Sequence, residues 1–380
     1  MERVYIRPVA FVDAPQLVGV TQEAVRLGGS MVYACRFALI RRDDDGRVID
    51  WHMTDSVGMT RALGKLPDAL AAAGEEQWAN LRRSQPPLVL PLFNRDRRII
   101  PLDQPQMMGI LNVTPDSFSD GNAYAGAPDQ AVAAGVRMLE AGAAIIDIGG
   151  ESTRPGAAPV YEEEEQARVL PVIKGLAATG AALSVDTRNA TVMAAAIAAG
   201  ARIINDVSAL RFDPRATQII ADADVTVVLM HASGSGSDLH AGAGSSNVVL
   251  DVFDWLAERR DRAIAAGIAR DRIILDPGIG FGKSLAENLA LINALPLFHA
   301  LGQPLLVGAS RKRMIGALSK EAPADRRLGG SVAIAGKIMD AGVPLLRVHD
   351  VAETRQAADI WRGLKDAALT DFSQIPEDLA

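Results

Sequence analysis

The sequence predicts an α/β protein in which a (β/α)8 TIM barrel follows an N-terminal α+β extension. Three observations support this. The chain has 380 residues, of which 49% are hydrophobic and 22% charged, which is typical of a globular protein with more than one small core. From residue 107 onward, a short apolar segment, a polar or glycine-rich loop and an alanine-rich helical stretch alternate eight times. The repeat occupies about 260 residues, the usual size of a TIM barrel.

Eight short apolar segments are the predicted barrel strands. They are residues 108–112, 144–148, 183–186, 202–205, 225–230, 273–276, 304–307 and 345–348. Their continuous apolar character suits parallel strands that are covered on both faces. Long helical segments such as 251–267 and 328–341 separate them. A doubly wound open sheet is the alternative, but the chain carries no dinucleotide fingerprint that would favour it.

Residues 1–104 do not show the repeat of apolar segment, loop and helical stretch, and they are predicted to form the α+β extension. A strand is expected at 4–12, a hairpin from strands 31–40 and 48–53, and a helix over 68–83 that ends before Pro86 and Pro87. The barrel domain is assigned to 105–370 and a C-terminal tail to 371–380. No motif names a role for the extension, and a barrel that begins near Pro105 is expected to fold without it.

Charge and cysteine content limit the expected partners. The formal net charge is -7 and no Lys/Arg-rich run occurs, so neither nucleic acid nor a membrane surface is expected as a partner. No apolar run is long enough to cross a bilayer. The single cysteine, Cys35, cannot form an intrachain disulfide, and no signal peptide opens the chain. Small-molecule partners and a cytoplasmic location are therefore expected.

Polar side chains recur at the ends of the predicted strands, where TIM barrels place their active sites. In order they are Asn112, Asp147, Asp186, Asn205, Met230 with His231, Asp276, the loop 310–312, and Arg347 with His349. Each alone could cap a helix or form a turn, but the recurrence favours a site. Strand alternation puts Arg347 and His349 on one side, which suits an anion. Ion pairs of Arg347 with a nearby carboxylate and of His349 with Asp350 remain the open alternative.

Several familiar motifs fail on inspection. Pro277 stands where a P-loop needs glycine, and Lys283 stands where a dinucleotide fingerprint needs it. The five histidines lack zinc spacing, and His240 and His299 are interpreted as surface or packing residues. The acidic run 162–165 is expected to open a solvated helix.

Seven segments, in family order, resemble dihydropteroate synthases of folate biosynthesis. They are GILNVTPDSFSDG at 109–121, DIGGESTRPG at 147–156, SVDT at 184–187, INDV at 204–207, DPGIGFGK at 276–283, SRK at 310–312 and RVHD at 347–350. The resemblance covers about residues 107–364. It implies an enzyme that joins 6-hydroxymethyl-7,8-dihydropterin diphosphate to 4-aminobenzoate and releases diphosphate. It also implies Mg²⁺ as cofactor, a homodimer, and a target of sulfonamides.

The resemblance further assigns residues to each ligand. The pterin site is Asp186, Asn205, Met230, Asp276, Gly308, Lys312 and Arg347. The 4-aminobenzoate site is Phe118, Thr153, Arg154, Pro155, Phe281 and Ser310. Diphosphate is assigned to Asn112, Arg154, Arg347 and His349, and Mg²⁺ to Asn112. The expected catalytic residues are Asp186, Lys312, Arg347 and His349.

Two features depart from the family pattern. A glycine/serine-rich stretch to Ser246 follows Met230 and His231, where the family commonly has a proline, and the first 104 residues lie outside the family core. Two other functions remain as alternatives: a pterin-dependent methyltransferase and a pterin-binding paralogue without turnover. The basic loop 310–312 argues against the first, because methyl transfer has no diphosphate to hold. No lost anion-binding residue marks the second.

Overall fold

The computed structural model of the protein describes residues 2–13, 24–92, 96–114, 126–152, 160–234, 238–242 and 244–370. In this part of the chain a four-stranded N-terminal sheet, a two-stranded hairpin and an eight-stranded parallel sheet follow one another. Within the same residues, no helix combines the length and the apolar character needed to cross a membrane.

The N-terminal sheet contains the predicted strand and hairpin. Its strands are β1 (Arg3–Val12), β2 (Val25–Arg26), β3 (Tyr33–Arg42) and β4 (Val48–Thr54), followed by helices α1 (Ser56–Leu63) and α2 (Asp68–Arg82). Strand β3 pairs antiparallel with the other three. One face packs on α2, where Phe37 meets Trp78 edge to face. The sheet is joined to the barrel by hydrogen bonds such as that from the Tyr5 hydroxyl to Asp254 at 2.8 Å.

The next two strands, β5 (Leu88–Pro91) and β6 (Arg97–Ile100), form a hairpin at one end of the barrel. Four apolar side chains from this part of the chain are buried against barrel strands: Leu88, Leu90, Ile100 and Leu102. Arg202 and Arg272, which flank barrel strands, donate to the carbonyls of Pro91 at 2.7 Å and Val89 at 2.9 Å. The hairpin therefore closes the floor of the barrel, although the sequence places it in the extension.

The parallel sheet closes into a barrel. Its strands are β7 (Gln106–Asn112), β8 (Ala143–Gly149), β9 (Ala182–Asp186), β10 (Ile203–Asp206), β11 (Thr226–Met230), β12 (Ile273–Asp276), β13 (Leu306–Val307) and β14 (Leu345–Val348). The order is β12-β11-β10-β9-β8-β7-β14-β13, and a bridge between Leu275 and Leu305 closes the circle. The eight predicted strands are confirmed, and the doubly wound alternative is wrong.

Helices follow the barrel strands and cover their outer faces. They are α3 (Pro128–Glu140), α4 (Glu162–Ala177), α5 (Ala190–Ala199), α6 (Ala216–Ala223), α7 (Val248–Ala265), α8 (Leu285–Phe298), α9 (Arg313–Leu318), α10 (Leu328–Asp340) and α11 (Val351–Leu369). Apolar side chains of these helices and of the outward strand positions form one continuous core that extends into the N-terminal sheet.

The inside of the barrel is built in layers, because strand side chains alternate with a period of two. The lowest layer is apolar and packs on the hairpin floor; it consists of Met108, Ile145, Ala182, Ile203, Val228, Ile274, Leu306 and Leu345. Two residues further along each strand come Ile110, Asp147, Ser184, Asn205, Met230, Asp276, Gly308 and Arg347. Five of these eight residues have polar or charged side chains, so the inward face becomes largely polar at the carboxyl ends of the strands.

Candidate active site

Arg347 links three strands across the barrel mouth. Its Nε donates to Asp147 Oδ2 at 2.6 Å and its Nη2 donates to Asp186 Oδ2 at 2.8 Å. The side-chain amide of Asn205 donates to the same oxygen of Asp147 at 3.0 Å. The ion pair left open by the sequence is therefore formed. Asp147 Oδ1 is buried and has no hydrogen-bond partner among the described residues, so this oxygen can accept a hydrogen bond from a ligand.

Asp276, Lys312 and Phe281 line the opposite side of the mouth. Asp276 Oδ1 accepts from the backbone N of Gly278 at 2.7 Å, which leaves Oδ2 for another donor. Lys312 donates to the carbonyl of Ile279, and its Nζ lies 4.6 Å from the centre of the Phe281 ring. Phe281 packs on an apolar cluster that includes Met230. Charged groups and a flat apolar wall therefore lie side by side.

Burial shifts the pKa values of three charged side chains at the barrel mouth, Asp186, Asp276 and Lys312. Burial raises the pKa of Asp186 to about 7, although the neighbouring Arg347 opposes the shift. Burial also raises the pKa of Asp276, against the attraction of Lys312. The same loss of hydration lowers the pKa of the Lys312 ammonium to about 8. Strongly shifted groups gathered at one opening are typical of a functional site.

Lys283 holds the loop that follows β12. Its Nζ donates to the carbonyls of His231 at 3.3 Å, Gly278 at 2.8 Å and Phe281 at 3.2 Å. Gly278 has φ of +68°, and a Cβ there would lie 1.8 Å from the His231 carbonyl oxygen, so only glycine fits. The sequence interpretation quoted Lys283 in the segment 276–283 but gave it no role, because its hydrogen-bond partners are backbone atoms.

Ser310 and His349 meet at the ends of the last two strands. His349 Nδ1 lies 3.1 Å from the Ser310 hydroxyl, which also accepts from the His349 backbone N at 3.3 Å. Asp350 accepts from Arg311 Nε at 3.0 Å. Asp350 therefore forms its ion pair with Arg311, and not with His349 as the sequence had left open. Gly308 lies beside Arg347, since a Cβ there would be 3.5 Å from the Arg347 Cβ.

A buried ionic network supports the end of β8. Arg188 makes a bidentate pair with Glu151, with distances of 3.1 and 2.9 Å, and its guanidinium lies 4.2 Å from the centre of the Phe212 ring. Glu165, in the first turn of α4, accepts from Asn189 at 2.6 Å and is fully buried. The expectation that the acidic run is solvated is therefore wrong for Glu165.

Asn112 ends β7 half-buried, with its Oδ1 beside Gly149. It is the one residue assigned to a metal. Among the described residues, no group of three or more His, Cys, Asp or Glu side chains could hold a metal ion. A single amide oxygen nevertheless suits Mg²⁺, which commonly takes one or two protein ligands together with phosphate and water. Four of the assigned residues, Phe118, Thr153, Arg154 and Pro155, lie outside the described residues, as do parts of the glycine/serine-rich loop.

Comparison with known proteins identifies the family. The family model described as pterin binding enzyme matches residues 108–349. A dihydropteroate synthase of Neisseria meningitidis serogroup B is 47% identical over 270 residues, which are 70% of this chain and 94% of that protein. This chain belongs to the dihydropteroate synthase family. The resemblance seen in the sequence is confirmed, and the methyltransferase alternative is wrong.

Solved structures of dihydropteroate synthases share the fold. The Xanthomonas albilineans enzyme with 4-aminobenzoic acid is 47% identical, with a TM-score of 0.67 over 76% of this chain and 99% of that one. The Yersinia pestis enzyme in a sulfonamide drug complex is 43% identical, with a TM-score of 0.69 over 73% of this chain and 100% of that one. The family match begins at residue 108, so the N-terminal sheet lies outside it.

Proposed function

We propose that this member of the dihydropteroate synthase family condenses 6-hydroxymethyl-7,8-dihydropterin diphosphate with 4-aminobenzoate, giving 7,8-dihydropteroate and diphosphate. The observation that carries the proposal is the polar layer above the apolar barrel floor. It gathers carboxylates, an amide, an ammonium and a guanidinium around one opening, beside a flat apolar wall. Sulfonamides, one of which the Yersinia pestis enzyme binds, are the expected inhibitor class.

The pterin is proposed to bind with its N–H edge toward Asp276 and Asn205. Asp276 has an oxygen that the Gly278 amide does not use, and a carboxylate is the strongest acceptor available for paired N–H donors. Lys312 is the donor for the pterin's acceptor atoms. Met230 and the planar guanidinium of Arg347 provide the two faces between which the ring lies. Asp186 fixes Arg347 and faces the same space.

The reaction breaks the C–O bond between the pterin methylene carbon and the diphosphate. The electron pair leaves with the diphosphate oxygen, and the dihydropterin ring delocalises the positive charge left on carbon. The amine nitrogen of 4-aminobenzoate then forms the new C–N bond and releases one of its protons to solvent. Arg347 and His349 stabilise the departing diphosphate, because fixed donors act most strongly where charge develops. No covalent bond to the enzyme is required.

Magnesium is part of the proposal. Asn112, the last residue of β7, would hold it through Oδ1. Bound Mg²⁺ supplies positive charge that offsets the charge of the leaving group.

The proposal includes a homodimer that works in the cytoplasm. Ile360 and Leu364 lie one turn apart on α11 and are 64% and 68% exposed. Adjacent exposed apolar side chains of this kind favour an interface. Sedimentation of the full chain should give the mass of two copies, and the double variant Ile360→Asp with Leu364→Asp should give the mass of one. A monomeric wild-type chain would contradict the dimer.

A diphosphate-release assay tests the activity. Release is expected with both substrates and Mg²⁺, and should be small when either substrate is omitted. Lys312→Ala should reduce the rate at least tenfold, whereas Lys320→Ala, an exposed lysine of the same region, should not. If the folded chain binds a pterin but releases no diphosphate with both substrates present, it is a binding paralogue and the proposed function is wrong.

A further inference from the structure

A second pocket lies in the N-terminal sheet, outside the part of the chain that matches the family. It has a volume of about 350 Å³ and is lined by Val25, Ser56, Val57, Thr60, Arg61, Trp78 and Arg82. These residues come from β2 and from the facing sides of α1 and α2. The volume lies within the range of small-molecule sites, which is about 300 to 1,000 Å³.

Two buried polar groups of this pocket have no partner within the described residues. They are the indole Nε1 of Trp78 and the hydroxyl of Ser56. Trp78 is 4% and Ser56 6% exposed. A buried donor without a hydrogen bond costs about 1 to 3 kcal/mol, so such groups are normally satisfied by protein, water or a ligand. Here both line one cavity that is large enough for a ligand.

Two arginines of the pocket, Arg61 and Arg82, favour a negatively charged ligand. Arg61 makes no hydrogen bond or ion pair within the described residues, while Arg82 donates from Nε to the Trp78 carbonyl at 3.1 Å, and its guanidinium lies 5.0 Å from the centre of the indole ring. Arginine and indole nitrogens only donate. The lining includes no carboxylate, and the neighbouring Asp55 accepts from the Gly58 backbone N at 2.7 Å, as the cap of α1. Apart from the hydroxyls of Ser56 and Thr60, the side chains that line the pocket offer donors only, and two of them are positively charged.

We propose that this pocket binds a small organic carboxylate with an apolar body. Guanidinium groups recognise the planar carboxylate in a two-point manner, and the indole N–H and serine hydroxyl add neutral donors. Val25, Val57 and the indole ring provide the apolar wall. Inorganic phosphate has no apolar part and would leave that wall uncovered.

The test uses the full-length chain labelled with 5-fluorotryptophan and ¹⁹F NMR. The four tryptophans give four resonances, and Trp78→Phe identifies the one from the pocket. Benzoate should shift this resonance to saturation. Benzamide, a neutral molecule of the same shape, should bind at least tenfold more weakly, and phosphate should not saturate in the same range.

Matched variants locate the binding. Arg61→Ala and Arg82→Ala should each weaken benzoate binding at least tenfold, whereas Arg47→Ala, an exposed arginine at the turn between β3 and β4, should have no effect. Equal binding of benzoate and benzamide, saturation by phosphate alone, or full binding by both pocket variants would overturn the proposal. A shift of the Trp255 resonance alone would also overturn it, because that shift would report binding at the barrel mouth. The centre of the Trp255 ring system lies 4.8 Å from the centre of the His231 ring there.

Discussion

Arg347 donates through Nε to Asp147, a carboxylate with no exposed surface, at 2.6 Å. The two residues come from the last and the second strands of the barrel, which the first strand separates. Because Asp147 is buried and also accepts from Asn205 at 3.0 Å, it is held in place and sets the plane of the guanidinium that is proposed to cover the pterin. Asp147 is therefore a positioning residue.

Asp147→Asn should misplace Arg347. A hydrogen bond to a charged group is worth about 1.5 to 3 kcal/mol, so kcat/KM should fall about 10- to 150-fold. Steady-state kinetics with a thermal unfolding curve measures this. Asp359→Asn is the control, since its pair with Arg355 joins exposed helix positions and should change kcat/KM less than twofold. An unchanged kcat/KM in folded Asp147→Asn would exclude the positioning role.

Asp276→Asn and Asp186→Asn should each weaken pterin binding. Replacing a carboxylate oxygen by an amide nitrogen sets donors against the N–H donors of the pterin, at a cost of about 2 to 4 kcal/mol when the contact is buried. Calorimetric titration with a pterin gives the affinities. Asp224→Asn, on an exposed side chain outside the barrel mouth, is the reference. Wild-type affinity in both site variants would remove the proposed pterin pocket.

Pterin affinity should depend on pH with two limbs. Asp186 has a pKa raised to about 7 by burial, so below that pH it takes up a proton and its charge is lost. Lys312 has a pKa lowered to about 8 by burial, so its charge is lost above that pH. Affinity should therefore peak between the two values and fall up to tenfold per pH unit on the acid side. Asp186→Asn should abolish the acid limb, and an acid limb that persists in it would assign the titration to another group.

4-Aminobenzoate should bind poorly to the free enzyme and more tightly once Mg²⁺ and diphosphate are present. The sequence places Arg154 in a glycine-flanked segment, and an anion held by Arg347 and His349 would attract this arginine. A ligand that has already fixed such a segment lowers the entropic cost for the next one. Coupling of this kind is typically about 1 to 3 kcal/mol, or 5- to 150-fold. Calorimetry with and without magnesium diphosphate measures it. Equal affinities would mean that the two sites are independent.

Two truncated chains should distinguish the contribution of the β5–β6 hairpin to stability from that of the N-terminal sheet. A chain that begins at Pro86 keeps the β5–β6 hairpin, whereas one that begins at Pro105 loses Leu88, Leu90 and Ile100 from the barrel floor. Each buried side chain of this kind contributes about 1.5 to 3 kcal/mol, a large share of a typical stability. We therefore expect the second chain to unfold at a lower temperature than the first, or to aggregate. Equal melting temperatures would show that the floor is dispensable.

The barrel was predictable because its signal is local. A buried parallel strand needs a short apolar run, and the polar residue that ends it marks the mouth, so Asp186, Asn205 and Asp276 could be found without a structure. Asp147 was noticed at a strand end, yet its partner Arg347 lies 200 residues further along the sequence, so no local pattern could reveal the pair. Glu165 looked solvated because a run of four glutamates says nothing about which one faces inward.

Other features depend on contacts that sequence patterns do not encode. The β5–β6 strands are four residues long, too short for periodicity to reveal which surface they cover. The pocket beside Trp78 depends on the distance between two helices. The boundary at residue 104 stays a prediction, although the floor contacts give a physical reason to place the barrel's beginning before Leu88.

The hairpin floor also affects how the chain must fold. Leu88 leaves the ribosome before any barrel strand, yet its pocket is completed only when Leu345, near the other end of the chain, has joined the sheet. Contacts between such distant residues slow folding, because the entropy of closing long loops is lost before the contacts form. The apolar face of the hairpin is therefore fully covered only when synthesis of the chain is nearly complete.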